Sequence, residues 1–227
     1  LPFQIPKISE SSVRVQVDRQ PFFYDTLHQH PEIQITLIVS GTGTLFQGEY
    51  IGEFKPGDVF IIGGNVPHVL KSDSIYYKDD QLSHAISIFF DKNSLGAPFF
   101  SLPELKNINS FIQQLNRGVQ LENTLKIKVG EIVRETPFCE GVEVIMTLLK
   151  ILQLTSQSNE VNFLSRETNE SYLDENEGIR LKAVYQFTLE NFNNAIRLEE
   201  VAEIANMTPS AFCRFFKLRT RKTYISF

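Results

Sequence analysis

The segment Leu198–Lys217, LEEVAEIANMTPSAFCRFFK, constrains the fold more than any other part of the chain. It begins with an apolar stripe at helical spacing: Leu198, Val201, Ala202 and Ala205. Asn206 follows where a tight turn between two helices needs a left-handed backbone, which Asn tolerates better than most residues. Thr208 and Pro209 then fit the N-cap and the first position of a second helix. The segment therefore predicts two short helices joined by a tight turn.

The second helix has two different faces. Its apolar face is predicted to bury Phe212, Phe215 and Phe216, and its polar face is predicted to expose Ser210, Cys213, Arg214 and Lys217. We interpret the pair as a helix-turn-helix that contacts DNA. The alternative is a helical hairpin without a nucleic-acid role, because short helix pairs are common in proteins.

The charge distribution favours the DNA-binding interpretation. The whole chain has a net charge of −5, which alone argues against a nucleic-acid partner. Residues 208–227, however, contain five of the 22 basic residues and none of the 27 acidic ones. A positive end on a negative body is typical of a protein that touches phosphates with one module only.

Residues 1–100 follow a different pattern, with short β-type runs separated by turn residues. The runs are 13–17, 33–39, 44–47, 50–54, 58–62 and 85–90, with turn signals such as Gly41-Thr42-Gly43 and Pro56-Gly57 between them. Many short strands at this spacing predict a β-sandwich or a small closed barrel.

Three histidines and a glutamine in this region form a candidate site. His28 and His30 are two residues apart, so on a strand they and Gln34 would share a face, and His68 would come from a neighbouring strand. Three imidazoles and one side-chain oxygen could hold a divalent transition metal, with Glu32 as the alternative oxygen ligand. The same side chains could instead line a pocket and hydrogen-bond an organic ligand.

The spacing of these residues resembles the two motifs of the cupin family. His28-Gln29-His30, Gln34 and Gly41 resemble the first motif, and Pro56-Gly57-Asp58 followed by Pro67-His68 resembles the second. The resemblance implies a cupin-like barrel over residues 1–100 with a metal at His28, His30, Gln34 and His68. One position departs from the family pattern, because the carboxylate expected at position 34 is a neutral glutamine.

Helical patterns follow the predicted barrel. Residues 101–156 read as three helices, and the last has an apolar centre, Val144–Leu152, that needs cover on both sides. We therefore predict a homodimer through this region, the alternative being that one subunit buries it all. Residues 157–177 are polar and are predicted to be a linker, and residues 178–227 contain a supporting helix followed by the helix-turn-helix.

The order of these parts resembles the AraC/XylS family of transcription regulators over essentially the whole chain. The resemblance implies an α+β multidomain protein: a cupin-like barrel, a helical dimerisation region, and an all-α domain with the first of an expected pair of helix-turn-helix motifs. It also implies a truncated DNA-binding domain, because the second motif does not follow. The implied function is ligand-responsive control of transcription by a non-enzyme, with DNA and a small-molecule effector, such as a sugar or related metabolite, as partners.

Individual roles follow from the same resemblance. The second helix would enter the major groove, where Ser210, Cys213 and Arg214 would face base edges. Arg214 is the favoured base reader, because a guanidinium can contact guanine bidentately. Phosphates would be met by Lys217, Arg219, Arg221 and Lys222.

The remaining expectations concern the compartment and the other function classes. Cys139 and Cys213 lie far apart, no apolar run has the length of a membrane span, and we predict a cytoplasmic protein without a membrane partner. A cupin metalloenzyme, an oxygenase or isomerase using the three histidines, is the alternative function, although it leaves the C-terminal motif without a role. A regulator whose barrel is only a structural dimerisation module is a further alternative.

Overall fold

The computed structural model describes residues 11–48, 50–78, 81–165, 175–191, 194–220 and 223–226. Nine β-strands lie within these residues: β1 (Val13–Gln20), β2 (Ile33–Ser40), β3 (Gly43–Gln47), β4 (Tyr50–Phe54), β5 (Val59–Ile62), β6 (His68–Ser72), β7 (Ser83–Phe90), β8 (Val119–Leu121) and β9 (Val161–Phe163). The α-helices of the same residues are α1 (Lys106–Ile112), α2 (Asn123–Glu135), α3 (Val142–Ser156), α4 (Glu175–Asn191), α5 (Leu198–Ile204) and α6 (Pro209–Thr220).

The strands form two antiparallel sheets that we call the β-sandwich. The larger sheet has the order β1-β7-β2-β5-β8-β9, and the smaller has the order β4-β3-β6. A hydrophobic cluster joins the sheets, with Ile38 and Phe60 from the larger and Leu45 and Phe54 from the smaller. The predicted α+β class with an N-terminal β-domain is confirmed, and its described strands form two facing sheets.

Strand β2 is buried on both faces, which explains its nearly continuous apolar sequence. Ile35 and Leu37 belong to a cluster with the helices α1, α2 and α3, whereas Ile38 points into the sandwich. Successive side chains of a strand point to opposite faces, so β2 separates the helical layer from the sandwich interior. The interior positions include two polar residues, Gln34 and Thr36, both buried.

Helices α1–α3 cover the outer face of the larger sheet. In α3, Leu148, Ile151 and Leu152 are fully buried, whereas Met146 on the opposite side is 63% exposed. The apolar centre is thus covered on one side within the chain. Within the described residues, no helix is both long enough and apolar enough to cross a membrane.

The larger sheet receives strands from outside the predicted barrel boundaries. Strand β8 follows α1, and β9 lies in the segment predicted as a linker, where Val161–Phe163 pairs with Val119–Leu121. The linker prediction therefore fails for these residues, and residues 166–174 lie outside the described residues. A three-residue strand is too short to show a periodic pattern in the sequence. The pairing becomes visible only in the structure, where β8 extends the sheet from β5 and β9 pairs with β8.

The C-terminal unit, α4 to α6, has the predicted helix-turn-helix geometry. Asn206 has a φ of 53°, and the Thr208 hydroxyl accepts the Ala211 N–H at the start of α6. Val201 and Ala202 of α5, and Ala205 directly after it, are buried against the phenylalanines of α6. The turn, the cap and both apolar stripes were predictable because each depends on local spacing and backbone preference.

We expect the stability of the protein to depend on which residue occupies the left-handed position 206. Replacing Asn206 with Val should lower the free energy of unfolding by about 1–2 kcal/mol, because a β-branched residue is strained at this φ. Asn206→Gly, the matched control, should leave stability unchanged or raise it slightly. Chemical denaturation measures both, and equal stability of the two variants would contradict the importance of the turn.

Candidate functional site

A cluster of three histidines lies where the smaller sheet meets the segment before β2. His68 is the first residue of β6, and Gln34 lies on the interior face of β2. His28 forms an isolated bridge with His68: each backbone N–H donates to the other's carbonyl, at 3.1 and 2.8 Å. The sequence predicted that His28 and His30 share a regular strand, and this is wrong. The bridge nevertheless brings this segment next to His68.

Each imidazole is oriented by a backbone carbonyl. His28 Nδ1 lies 2.8 Å from the Thr26 carbonyl oxygen, and His68 Nδ1 lies 2.7 Å from that of Val66. His30 Nδ1 has the same relation to Glu32, at 3.0 Å. A carbonyl can only accept, so each Nδ1 donates, and in a neutral ring Nε2 then carries the lone pair. This is the tautomer that presents Nε2 to a metal.

Gln34 supplies the oxygen of the cluster. Its Oε1 lies 3.1 Å from His30 Nε2 and 3.2 Å from His68 Nε2. Its amide nitrogen donates to the Thr36 hydroxyl at 2.7 Å, which orients the oxygen toward the histidines. Oε1 and both Nε2 atoms are then acceptors that face one another. Such an arrangement requires a cation or a proton between them, or rotation of the amide so that its N–H groups point inward.

The donor set fits a divalent metal. The ligand atoms of His28, His30 and His68 all lie within 4.8 Å of one another. Ligand atoms bound about 2.1 Å from one ion are roughly 3 to 3.5 Å apart, so the Gln34 oxygen already has the required spacing from two nitrogens. Glu32 does not belong to this set, because its carboxylate lies on the Nδ1 side of His30, at 3.6 Å.

Burial lowers the pKa of two of the three histidines, His30 and His68, and so favours their neutral forms. The pKa of His68 lies well below its ordinary value because burial penalises the charged ring, and the neighbouring His28 and His30 lower it further. The pKa of His30 is lowered by burial, although Gln34 and Glu32 partly offset this. Neutral rings need not lose a proton before binding a cation.

Polar neighbours of the cluster were missed by the sequence interpretation. Ser87 on β7 lies beside Thr36, with 2.9 Å between the hydroxyl oxygens, and together they fix the Gln34 amide. Gln47 pairs with His68 across β3 and β6 and is 3% exposed. The alternation of positions 34 and 36 could have identified Thr36, whereas Ser87 and Gln47 depend on strand register, which the sequence does not contain.

The predicted DNA-contacting residues share one face of α6, which we call the recognition face. Ser210, Cys213, Arg214 and Lys217 are exposed, opposite the buried phenylalanines of the same helix. Arg219 is half-buried. Arg221 and Lys222 lie outside the described residues.

No protein-family model and no curated protein matches the sequence. Solved structures do match. The AraC-like transcriptional activator CuxR is 10% identical with a TM-score of 0.41, over 92% of this chain and 71% of that one. ToxT from Vibrio cholerae O395, bound to (E)-4-(8-methylnaphthalen-1-yl)but-3-enoic acid, is 12% identical with a TM-score of 0.42, over 95% of this chain and 98% of that one.

A Cupin 2 conserved barrel domain protein from Salinispora arenicola CNS-205 matches 42% of this chain and 76% of its own, with 14% identity and a TM-score of 0.31. An AraC-like activator and a cupin barrel protein are thus among the solved structures that resemble this chain. Identities below 25% and TM-scores below 0.5 make each of these a likeness and not a measure of shared activity.

We expect the metal-free protein to lose stability as the pH falls below about 6.5, the ordinary pKa of histidine. The pKa values of His30 and His68 are lower in the folded state than in the unfolded state. The unfolded chain therefore binds more protons below that pH, and protonation favours unfolding. Denaturation in the presence of a chelator, between pH 7.5 and 5, measures the slope.

The His68→Asn variant should have a shallower slope than the wild type. His84→Asn is the control, since His84 is more exposed and lies away from the cluster, and it should keep most of the slope. Parallel pH profiles for the wild type and His68→Asn would contradict the assignment of the slope to the buried cluster.

Proposed function

We propose that the protein is a ligand-responsive DNA-binding transcription regulator. The recognition face is the observation that supports this most directly, because two cations, Arg214 and Lys217, project from the second helix of a helix-turn-helix. The three phenylalanines behind it fix the helix in the unit. A cation-bearing helix held this way suits the major groove of DNA.

Within the recognition face, the side chains have different roles. Arg214 reads a guanine, and Ser210 and Cys213 contact neighbouring base edges. Lys217 contacts a phosphate, as do Arg219, Arg221 and Lys222, and these cations give affinity without sequence choice.

The effector binds at the polar end of the β-sandwich interior. His30, Gln34 and His68 are buried there among hydroxyl groups, which suits a small polar molecule such as a sugar or related metabolite. Within the described residues, the buried Oε1 of Gln47 has no hydrogen-bond partner, and the backbone of Gln47 pairs with that of His68. A buried acceptor of this kind favours a ligand that brings a donor.

A divalent metal is the cofactor that the donor set supports. His28, His30, Gln34 and His68 would hold it, and as a Lewis acid it would supply coordination positions for an oxygen of the effector. The metalloenzyme alternative needs the same residues but leaves the recognition face without a role. We therefore favour a regulator and not an enzyme.

A second copy of the chain covers the exposed side of α3. Met146 is exposed between Glu143 and Lys150, which are exposed on the same side. In an antiparallel pair of α3 helices, Glu143 would face Lys150 of the partner subunit at two symmetric places. A surface that is complementary to itself in this way suits a two-fold dimer.

The preference of the protein for one DNA site over another tests base reading by Arg214. On genomic DNA fragments selected for binding, Arg214→Ala should lower the preference for a selected site over a scrambled one by about tenfold, because it removes a bidentate contact. Lys217→Ala should weaken binding to both DNAs equally. It should also reduce the slope of the logarithm of the affinity against the logarithm of the salt concentration by about one unit. Fluorescence anisotropy measures both effects.

Arg197→Ala is the matched control. Arg197 is also an exposed arginine of the C-terminal unit, but it is paired with Glu200 at the start of α5. It should leave the preference unchanged. If Arg214→Ala kept the full preference, its role as base reader would be wrong.

The oligomeric state of the protein in solution tests the proposed dimer. Met146→Glu should shift the protein from dimer to monomer at micromolar concentration, because it places two buried charges at the two-fold axis. Leu82→Glu, which alters an exposed leucine just before β7, should leave the dimer intact. Sedimentation velocity distinguishes the states, and a monomeric wild type would contradict the dimer.

A further inference from the structure

The C-terminal unit and the β-sandwich share one hydrophobic cluster, although the sequence separates them by more than a hundred residues. Leu27 and Val69 of the sandwich are buried in the same cluster as Leu181, Val184 and Val201 of the helices. Phe46, which pairs with Val69 across β3 and β6, packs against this cluster. The helices are therefore docked on the outer face of the smaller sheet.

A hydrogen bond adds to this contact. The Tyr185 hydroxyl of α4 donates to the carbonyl oxygen of Gly48 at 2.8 Å, in the turn between β3 and β4. Tyr185 is 2% exposed and Gly48 is half-buried, so the bond is partly shielded from water. It fixes α4 to the end of β3, the central strand of the smaller sheet, close to Phe46.

The docking contact and the histidine cluster are formed by neighbouring residues of the same two backbone segments. Leu27 adjoins His28, and Val69 adjoins His68. His28 and His68 hydrogen-bond each other through both backbone groups. Because side chains alternate along a strand, His68 points into the sandwich and Val69 points out to the helices. A change in the position of the bridge therefore moves both faces together.

We propose that a divalent metal held by His28, His30, Gln34 and His68 stabilises the docked position of α4–α6 on the β-sandwich. This regulation rests on the metal occupancy included in the proposed function. The metal fixes the rings of His28 and His68 to each other and so fixes the backbone bridge between them. Leu27 and Val69 are then held in the spacing that the helices contact.

The coupling has to be reciprocal. If the metal makes docking more favourable by some factor, docking must raise the metal affinity by the same factor. Couplings between sites in proteins are typically about 5- to 150-fold, a range that exchange and titration can both measure. Two independent measurements on the full chain thus test the same coupling factor between metal binding and docking.

The first measurement is hydrogen exchange of the α4 peptide. In the full chain, saturating Zn²⁺ should slow the exchange of Glu175–Asn191 at least about fivefold relative to the protein in chelator. Titration with Co²⁺ shows binding independently, through the visible absorption of the bound ion. The absence of any cobalt spectrum would overturn the proposal, and so would protection confined to the histidine segments with no change in α4.

The second measurement removes docking without touching the cluster. Phe46→Glu places a charge in the docking contact and should lower the Co²⁺ affinity by the same factor by which saturating Co²⁺ slows α4 exchange in the wild type. Thr44→Glu is the matched control, because Thr44 lies two residues earlier on the same outward face of β3 and is outside the hydrophobic cluster. It should keep the wild-type affinity.

Exchange of the β2 and β7 peptides shows that the sandwich of each variant remains folded. Unchanged Co²⁺ affinity in a folded but undocked Phe46→Glu protein would overturn the coupling, as would an equal loss in both variants. Neither result depends on DNA. The base-reading test with Arg214→Ala therefore stands or fails separately, and the two failures can be told apart.

Discussion

The burial of β2 on both faces is the constraint on which the rest of the structure depends. One face must be apolar along its whole length to receive α1–α3, and the other must change from apolar at Ile38 to polar at Gln34. This gradient divides the sandwich interior into a packed end and a polar end. The histidines meet at the polar end, where the backbone bridge between His28 and His68 lies beside Gln34.

The chemistry of the cluster follows from that position. Burial lowers the pKa of His30 and His68, and backbone carbonyls orient all three rings so that Nε2 faces the cluster. A glutamine in place of a carboxylate leaves the whole donor set uncharged. A divalent ion bound there would keep its full positive charge, in contrast to a site with a carboxylate ligand, and would attract electron-rich groups of a small molecule.

The sequence predicted what depends on local spacing. The left-handed Asn206, the cap at Thr208 and the stripes of α5 and α6 each follow from a few neighbouring residues, and the structure has them all. The meeting of His28, His30, Gln34 and His68 was predictable from motif resemblance. The three-residue pairing of β8 with β9, the support of Gln34 by Ser87, and the contact of Tyr185 with Gly48 were not, because each depends on long-range register.

The late position of β8 and β9 in the chain has a consequence for biosynthesis. Strands β1 to β7 are complete at Phe90, yet β5 has no neighbour on its outer side until Val119–Leu121 is added, and β9 follows only at Phe163. While the ribosome makes the intervening residues, an apolar strand presents unpaired N–H and carbonyl groups, a template for association with other nascent chains. Slow translation after Phe90 would prolong this exposure and so raise the need for a chaperone.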